Sequence, residues 1–299
     1  MKRENGLVFA SYLIWGLLPI FWKQLSMVNS AYVLASRIIW SVIFCGALLL
    51  LRHRWGGVKA ALADKKEARL IFLCAILISI NWGLYIFSIA IGKVLESSLA
   101  YYMSPIISVL LGAVFFREKH GVIQWLAIAI AAIGVLLAVV MYGSVPWLAL
   151  CIGASFAVYG ALKKKVKADG ETSIFLETLF MAPFALTFMV FAEWNGNGVL
   201  GVLHGWQFIL LPLTGIVTSV PLMLFAQGIK QTSITLSGIL MYINPTMVLL
   251  LGVFLYGEEF TRTNQIVFAF VWAAVLLFVG DSLVQHHRAA KKLEEMVER

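Results

Sequence analysis

Ten apolar stretches, each close to 20 residues long, divide this chain and leave only short connections between them. A helix that crosses a bilayer needs about 20 predominantly apolar residues, and it satisfies its backbone polar groups internally. Strands of membrane barrels are shorter, about 10 residues, and alternate in polarity, so the stretches favour helices. The stretches cover residues 6–25, 31–51, 70–91, 95–116, 122–141, 146–162, 173–192, 206–228, 234–256 and 264–284.

The composition also indicates that lipid surrounds this chain. Of its 299 residues, 61% are hydrophobic and only 13% are charged. A soluble domain has about 25% charged residues. The composition therefore excludes a soluble enzyme and a nucleic-acid-binding domain. We expect an all-α integral membrane protein with ten transmembrane helices in contact with membrane lipid.

Lys and Arg residues concentrate in alternate connections. With the N-terminus inside, 19 of the 23 fall in inner segments and three in outer segments, while Arg37 falls within a stretch. Cytoplasmic loops of membrane proteins carry such an excess. The distribution predicts that both termini are cytoplasmic, including a tail at 286–299. The net charge of +8 thus reflects topology rather than affinity for nucleic acid.

The chain resembles itself at an offset of 140 residues. Tyr102 corresponds to Tyr242, and the proline three residues after each tyrosine recurs as well. Each half contains five stretches, and an odd number inverts the second half relative to the first. We predict two inverted five-helix repeats, residues 1–142 and 143–285, an arrangement that recurs in secondary transporters.

Several motifs are similar to those of a known family. They are Trp15-Gly16, Arg37-x-x-Trp40-Ser41, the run from Gly92 to Pro105, Tyr159-Gly160, Glu177-Thr178 and Thr218-Ser219-Val-Pro221. The chain resembles the EamA family of the drug/metabolite transporter superfamily, and more narrowly its RarD subgroup, over about residues 5–285. The resemblance implies a ten-helix permease of a bacterial inner membrane, with a central cavity between two inverted halves.

Three charged residues within or at the start of predicted spans are candidates for function, since a charge in the membrane costs at least about 2.5 kcal/mol. Arg37 would anchor an anionic group of a substrate, pair with a carboxylate or extend to the lipid headgroups. Glu177 lies at the equivalent position of the second half. It is the first candidate for proton coupling, because low dielectric raises the pKa of a carboxylate. The alternative is a structural pair with Arg37 or with lysines of the inner loops. Glu96 is the second candidate, and would otherwise cap its helix.

In several predicted helices, polar residues recur three or four positions apart, and this spacing places them on one face of the helix. Tyrosine and asparagine are large for simple helix packing, so we expect these positions to line a substrate cavity. The alternative is hydrogen bonding between helices. Besides Arg37, the candidates for substrate binding on these faces are Asn81, Tyr85, Tyr101 and Asn244; Tyr102 and Tyr242 join them because they lie within about a turn of Pro105 or Pro245.

Prolines inside three predicted helices are candidate hinges. Pro105, Pro221 and Pro245 each remove a backbone hydrogen bond and can kink their helices. Pro105 and Pro245 occupy equivalent positions in the two halves. Kinks without motion are the alternative.

The sequence contains no phosphate-binding loop, no His-Glu-x-x-His and no Gly-x-Ser-x-Gly motif. We therefore expect no catalytic site, no metal and no cofactor. The leading hypothesis is a secondary active transporter, an exporter or permease of small amphipathic metabolites or drugs, which works by alternating access and is a candidate for proton coupling. A flippase for a lipid or lipid carrier is the alternative. An enclosed aromatic cavity would favour the first, and a groove open to lipid the second.

Overall fold

The computed structural model describes residues 3–91, 93–143, 145–257 and 259–297, and this part of the chain contains helices but no strand. In chain order the helices are α1 (Arg3–Lys23), α2 (Ser30–Leu51), α3 (Trp55–Ala63), α4 (Lys65–Ala90), α5 (Val94–Phe115), α6 (Val122–Tyr142), α7 (Trp147–Lys163), α8 (Gly170–Trp194), α9 (Leu210–Gly228), α10 (Ile234–Met241), α11 (Ile243–Leu250) and α12 (Arg262–Val297). A 3₁₀ turn at Gly205–Ile209 leads into α9. The expectation of an all-α protein is confirmed.

Within the described residues, eight helical segments are long and apolar enough to cross a membrane. They are Arg3–Lys23, Ser30–Leu51, Lys65–Ser88, Val122–Tyr142, Gly170–Trp194, Gly205–Gly228, Ile234–Leu255 and Arg262–Asp281. Two shorter apolar segments, Leu99–Phe115 and Trp147–Lys163, coincide with the fourth and sixth predicted spans. The chain is therefore a multi-pass helical membrane protein.

Several helices begin at a residue whose side chain accepts a hydrogen bond from the first turn. Asn29 caps α2, Asp169 caps α8 and Ser233 caps α10. Asp64 accepts two backbone N–H groups at the start of α4, and these bonds lower the pKa of its carboxyl group. Such caps satisfy donors that have no partner within the helix, so these polar residues fix where the apolar helices start.

The ninth predicted span is interrupted in the structure. α10 ends at Met241, α11 begins at Ile243, and a π-helical turn at Leu251–Leu255 follows. Pro245 cannot donate the backbone hydrogen bond that would continue the helix across this point. The other two candidate hinges differ, because Pro105 and Pro221 lie inside α5 and α9 without ending them.

Close helix crossings explain how the bundle is assembled. α2 packs against α8 and α9, α5 against α7 and α10, α1 against α9 and α11, α4 against α7, and α6 against α12. At the crossing of α2 and α9, a Cβ atom on Gly215 would overlap the backbone of Trp40. The absence of a side chain at this glycine lets the two backbones come together, as small residues do in membrane bundles.

Two buried apolar clusters flank the centre of the bundle. One includes Val8, Cys45 and Phe225 of α1, α2 and α9, and the other includes Ala131 and Val271 of α6 and α12. Large apolar side chains on the outside remain exposed; among them are Val140, Phe184, Phe191, Phe254 and Leu276. An apolar exterior of this kind suits contact with lipid acyl chains.

Two features of the fold lie between or beyond the spans. The short helix α3 occupies the connection between α2 and α4, which the sequence predicted only as an inner loop. Its buried residues Val58 and Ala61 join the first apolar cluster. At the other end of the chain, α12 continues to Val297, so most of the tail extends the last helix.

Candidate functional site

A cavity of about 540 Å³ lies at the centre of the bundle. Its wall is formed by α1, α2, α4, α5, α7, α9, α10 and α11. Lys23, Ser26 and Ser30 line the cavity and are exposed, so it reaches the surface at the connection between α1 and α2. We call this side the open end. Cavities of about 300–1,000 Å³ accommodate small organic molecules.

Arg37 lies on the wall of this cavity. Its guanidinium is between two indole rings, 4.7 Å from the ring centroid of Trp22 and 4.5 Å from that of Trp82. Its Nε donates a 2.9 Å hydrogen bond to Thr218 Oγ1 on α9. Within the described residues, no carboxylate is ion-paired with Arg37. The guanidinium is thus held in place by aromatic faces and one hydroxyl, without a countercharge from those residues.

Four of the predicted polar residues meet at the cavity: Asn81, Tyr85, Tyr101 and Asn244. Asn81 Nδ2 donates hydrogen bonds to Ile152 O (2.7 Å) and to another acceptor of α7. The rings of Tyr85 and Tyr101 pack edge to face, with centroids 6.0 Å apart. These contacts fix α4 against α5 and α7, so the polar wall is preorganised before any ligand binds.

The structure keeps Tyr102 and Tyr242 away from the cavity wall. Both are buried in the second apolar cluster, and Tyr242 Oη donates a 3.3 Å hydrogen bond to the backbone oxygen of Tyr102. Successive helical residues point about 100° apart, so Tyr101 faces the cavity while Tyr102 faces α10. The two equivalent tyrosines therefore join α5 to α10 rather than lining the site.

Aromatic side chains close the cavity at its inner limit. Tyr12, Trp15, Phe156, Tyr159 and Phe225 are in mutual contact, with centroid distances of 5.6–6.2 Å. The group draws on α1, α7 and α9, and three of its members do not belong to any motif or polar stripe. Sequence reasoning missed them because apolar residues inside a span carry no distinguishing pattern.

Behind this aromatic layer, Glu177 of α8 is ion-paired with Lys163 of α7. Only 3% and 1% of their side chains are exposed. Glu177 also accepts hydrogen bonds from Ser173 Oγ (3.0 Å) and Tyr159 Oη (3.2 Å). Lys163 was predicted as an inner-loop residue, but it is the last residue of α7 and fully buried. The sequence signal for Lys163 was that it follows Lys23 by 140 residues, which is the offset of the internal repeat.

A second, much smaller cavity of about 10 Å³ touches this ion pair. Glu177 and Ser79 line it together with Trp82 and Leu222, which also line the large cavity. The hydroxyl of Ser79 is buried and has no hydrogen-bond partner among the described residues. A space of about 10–15 Å³ with polar groups holds one water molecule.

Ionic and backbone contacts tie the chain together on the side of Glu177, which we call the closed end. Glu118 accepts the backbone N–H groups of Ile234 (2.7 Å) and Thr235 (2.9 Å). Lys164 donates to the backbone oxygen of Thr232. Burial lowers the pKa of Lys164, and the negative charge of Glu118 opposes this shift.

Further contacts at the closed end join α4, the connection after α9 and the connection between α7 and α8. Glu67 accepts the backbone N–H groups of Lys167 (2.7 Å) and Ala168 (2.9 Å). Lys230 Nζ donates to the backbone oxygens of the same two residues. Burial is also the main cause that lowers the pKa of Lys230. The dense contacts here contrast with the exposed residues at the open end.

Two further predictions concern Glu96 and metal binding. Glu96 belongs to α5, but its side chain lies outside the part that the structure describes. Among the described residues, no group of His, Cys, Asp and Glu side chains is suited to a metal ion.

Comparison with known proteins identifies the family of this chain. The sequence profile of the EamA-like transporter family matches residues 3–140 and 144–280. The uncharacterized transporter YojE of Bacillus subtilis is 39% identical over 97% of this chain and 98% of that protein. The protein RarD of Salmonella typhi is 35% identical over 93% and 94% of the two chains.

A solved crystal structure has the same fold. It superposes with a TM-score of 0.71 at 15% sequence identity, and the match covers 93% of this chain and 97% of the other. The family profile covers nearly the whole sequence, and the relatives match along almost their full lengths. These matches support a membrane transporter of the drug/metabolite class, as the motifs predicted, and the chain belongs to the EamA-like transporter family.

Proposed function

We propose that this protein is a secondary active transporter for small amphipathic metabolites or drugs. The observation that carries the proposal is the central cavity, which reaches the surface at the open end and is blocked by aromatic residues and an ion pair at the closed end. A cavity available from one side at a time is what alternating access requires. The protein would be an exporter or permease of a bacterial inner membrane, without enzymatic activity.

The proposal includes ten membrane spans arranged as two inverted repeats. Its support is the 140-residue offset and the pairing of equivalent helices: α2 with α8, α5 with α10, and α6 with α12. Helices α1 and α7 likewise pack against equivalent partners, α9 and α4. The excess of Lys and Arg supports cytoplasmic termini and a cytoplasmic closed end.

The substrate would bind among Arg37, Asn81, Tyr85, Tyr101 and Asn244. Together they offer a cation, two amides and two phenol rings, while the rest of the wall is largely apolar. This combination suits a solute with a polar group and an apolar body. It favours a solute transporter over a lipid flippase, because aromatic side chains enclose the site. Tyr102 and Tyr242 would act indirectly, by holding α5 against α10.

Glu177 would couple transport to protons. Its carboxylate is held by Lys163, and protonation would remove the negative charge on which that ion pair depends. One water molecule in the small cavity beside Ser79 would bring a proton from the large cavity to Glu177. Loss of the pair would then weaken the closed end. Glu96 remains the second candidate on its sequence position alone.

The break before Pro245 is the favoured hinge. α10 and α11 meet at Tyr242, and Asn244 of the same segment lines the cavity. A change of angle here would alter the cavity and the contact with α5 together. Pro105 and Pro221 would contribute by allowing α5 and α9 to bend without a break.

The proposal is tested in proteoliposomes with a panel of radiolabelled aromatic carboxylates, amino acids and chloramphenicol. We expect at least one solute to accumulate when a pH gradient is imposed, and to exchange without one. A cysteine at Ser237, which faces Tyr12 at the closed end, should become reactive while this solute is transported. Absence of both transport and any change in the reactivity of that cysteine would contradict alternating access.

A further inference from the structure

The two ends of the bundle carry different charges at equivalent positions. Lys23 and Lys163 are the last residues of α1 and α7. Arg37 and Glu177 are each the eighth residue of their helices, α2 and α8. Both pairs of positions differ by 140 residues, the offset of the internal repeat. The closed end thus has a cation and an anion where the open end has two cations.

The charges at each end agree with whether that end is open or closed. At the closed end, the attraction between Lys163 and Glu177 holds α7 and α8 together in a buried ion pair. At the open end, Lys23 is exposed, with its Nζ 3.6 Å from the ring centroid of Tyr256, and Arg37 lies between two indoles. Two cations repel each other, so they cannot form an ion pair like the one that joins α7 and α8 at the closed end.

The charge of the cavity wall follows from the same residues. Lys23 and Arg37 are the charged residues that line it, and the wall contains no Asp or Glu among the described residues. The Nε of Arg37 is used by Thr218, whereas its two terminal nitrogens donate to no described residue. A guanidinium in this state can bind a planar anion with two parallel hydrogen bonds.

We propose that the substrate is an organic anion with an aromatic body, and that its negative group closes the open end by bridging Arg37 and Lys23. The anion takes the place that Glu177 occupies at the closed end. The aromatic body lies against the indoles of Trp15, Trp22 and Trp82 on the cavity wall. This inference rests on the proposed transport function, since closure of a loaded cavity has a purpose only in alternating access.

A reversal of charge tests the closure without any ligand. Ser104→Cys places a thiol on the cavity wall, and Cys151→Ala removes the exposed native thiol while Cys45 and Cys74 stay buried. In this background, the purified protein in lipid nanodiscs is labelled with N-ethylmaleimide. We expect Arg37→Glu to slow labelling about tenfold relative to Arg37→Gln. An ion pair between the introduced glutamate and Lys23 would shift the equilibrium by that factor toward the state in which the open end is shut.

Lys23→Glu provides the same ion pair with the signs exchanged, and Lys23 is exposed, so this variant does not depend on tolerance of a buried change. We expect it to slow labelling relative to Lys23→Gln. Equal labelling rates for the glutamate and glutamine variants at both positions, in folded protein, would overturn the closure mechanism.

The substrate class is tested with three naphthalene probes of similar shape in calorimetric titrations and in protection of the Ser104→Cys thiol. We expect 1-naphthoate to bind and protect, 1-naphthamide to bind about tenfold more weakly, and 1-naphthylmethylamine to bind more weakly still. Arg37→Gln should reduce the affinity for 1-naphthoate to that for the amide. Binding of the amide or amine as tightly as the acid, or no binding of the acid, would overturn the assignment.

These measurements need neither transport nor a gradient. If labelling and binding follow the charges but no solute moves in proteoliposomes, the transport proposal fails while the anion site stands. If transport is observed and the charge variants have no effect, the anion site fails alone.

Discussion

The carboxylate of Glu177 and the ammonium of Lys163 form a buried ion pair between α8 and α7, just behind the aromatic layer that ends the cavity. Two charges in such a place cost considerable desolvation energy, which their attraction must offset. The pair therefore stays intact only while Glu177 is ionised. This makes it a suitable lock for one end of a transporter.

Removing one partner of the ion pair should destabilise the protein strongly, because the other partner then remains as a buried, unpaired charge. Lys163→Met should destabilise the protein by about 3 kcal/mol, because it leaves a buried carboxylate unpaired. The double variant Lys163→Met/Glu177→Gln should recover most of that loss. Denaturant unfolding in detergent micelles measures both. Lys167→Met is the control, since its pair with Asp64 is exposed to solvent and should contribute little to stability. An equal loss in the single and double variants would contradict this prediction.

Glu177→Gln should separate coupling from substrate movement. The neutral side chain cannot carry a proton, so accumulation driven by a pH gradient should disappear while exchange of the substrate continues. Proteoliposome assays with and without a gradient provide the measurement. Undiminished accumulation in a folded Glu177→Gln protein would remove this residue from the coupling mechanism.

Cavity residues and interface residues should respond differently to substitution. Asn81→Ala should impair transport, since its amide fixes α4 against α7 at the wall. Tyr242→Phe should leave transport nearly unchanged and cost about 1 kcal/mol of stability, the net contribution of its hydrogen bond to Tyr102. Transport kinetics and unfolding midpoints distinguish the two effects. A transport defect in Tyr242→Phe with wild-type stability would show that this tyrosine has a direct role.

The crossing of α2 and α9 should not tolerate a methyl group. Gly215→Ala places a Cβ against the backbone of Trp40, and we expect a loss of about 1–3 kcal/mol. Gly83 lies in α4, and a Cβ atom added there would meet no atom within 4 Å, so Gly83→Ala should be neutral or stabilising by up to about 1 kcal/mol. Unfolding midpoints of the two variants provide the comparison. Equal unfolding midpoints for Gly215→Ala and Gly83→Ala would show that α2 and α9 can move apart at little cost in free energy.

The topology is tested by cysteine labelling in intact cells. A cysteine at Lys167, an exposed position at the closed end, should react only with reagents that cross the membrane. A cysteine at Asn197, exposed after α8, should react with impermeant reagents. The reverse pattern would place the closed end outside the cell.

Much of the fold followed from the sequence because its signals are local. The length of each apolar stretch predicted a helix there, whereas the three internal prolines were equivalent candidates and no local signal singled out Pro245 as the position of the break. The rotation of each helix about its axis is a tertiary property, so no local signal separated Tyr101, which faces the cavity, from Tyr102, which faces α10. For the same reason, the burial of Lys163 was not predicted. Its position beside other lysines suggested a loop, whereas Glu177, the partner that keeps it buried, belongs to another helix.

We propose that the ion pair of Glu177 and Lys163 holds one end of the bundle closed while the other is open. Double electron–electron resonance tests it with spin labels at the exposed positions Lys65 and Gln231 of the closed end, and Met27 and Ile91 of the open end. In Glu177→Gln, which mimics the protonated state, we predict a longer distance between the first two labels than in the wild-type protein, and a shorter distance between the second two once 1-naphthoate is added. Unchanged distances at both ends would show that the ion pair does not hold the closed end.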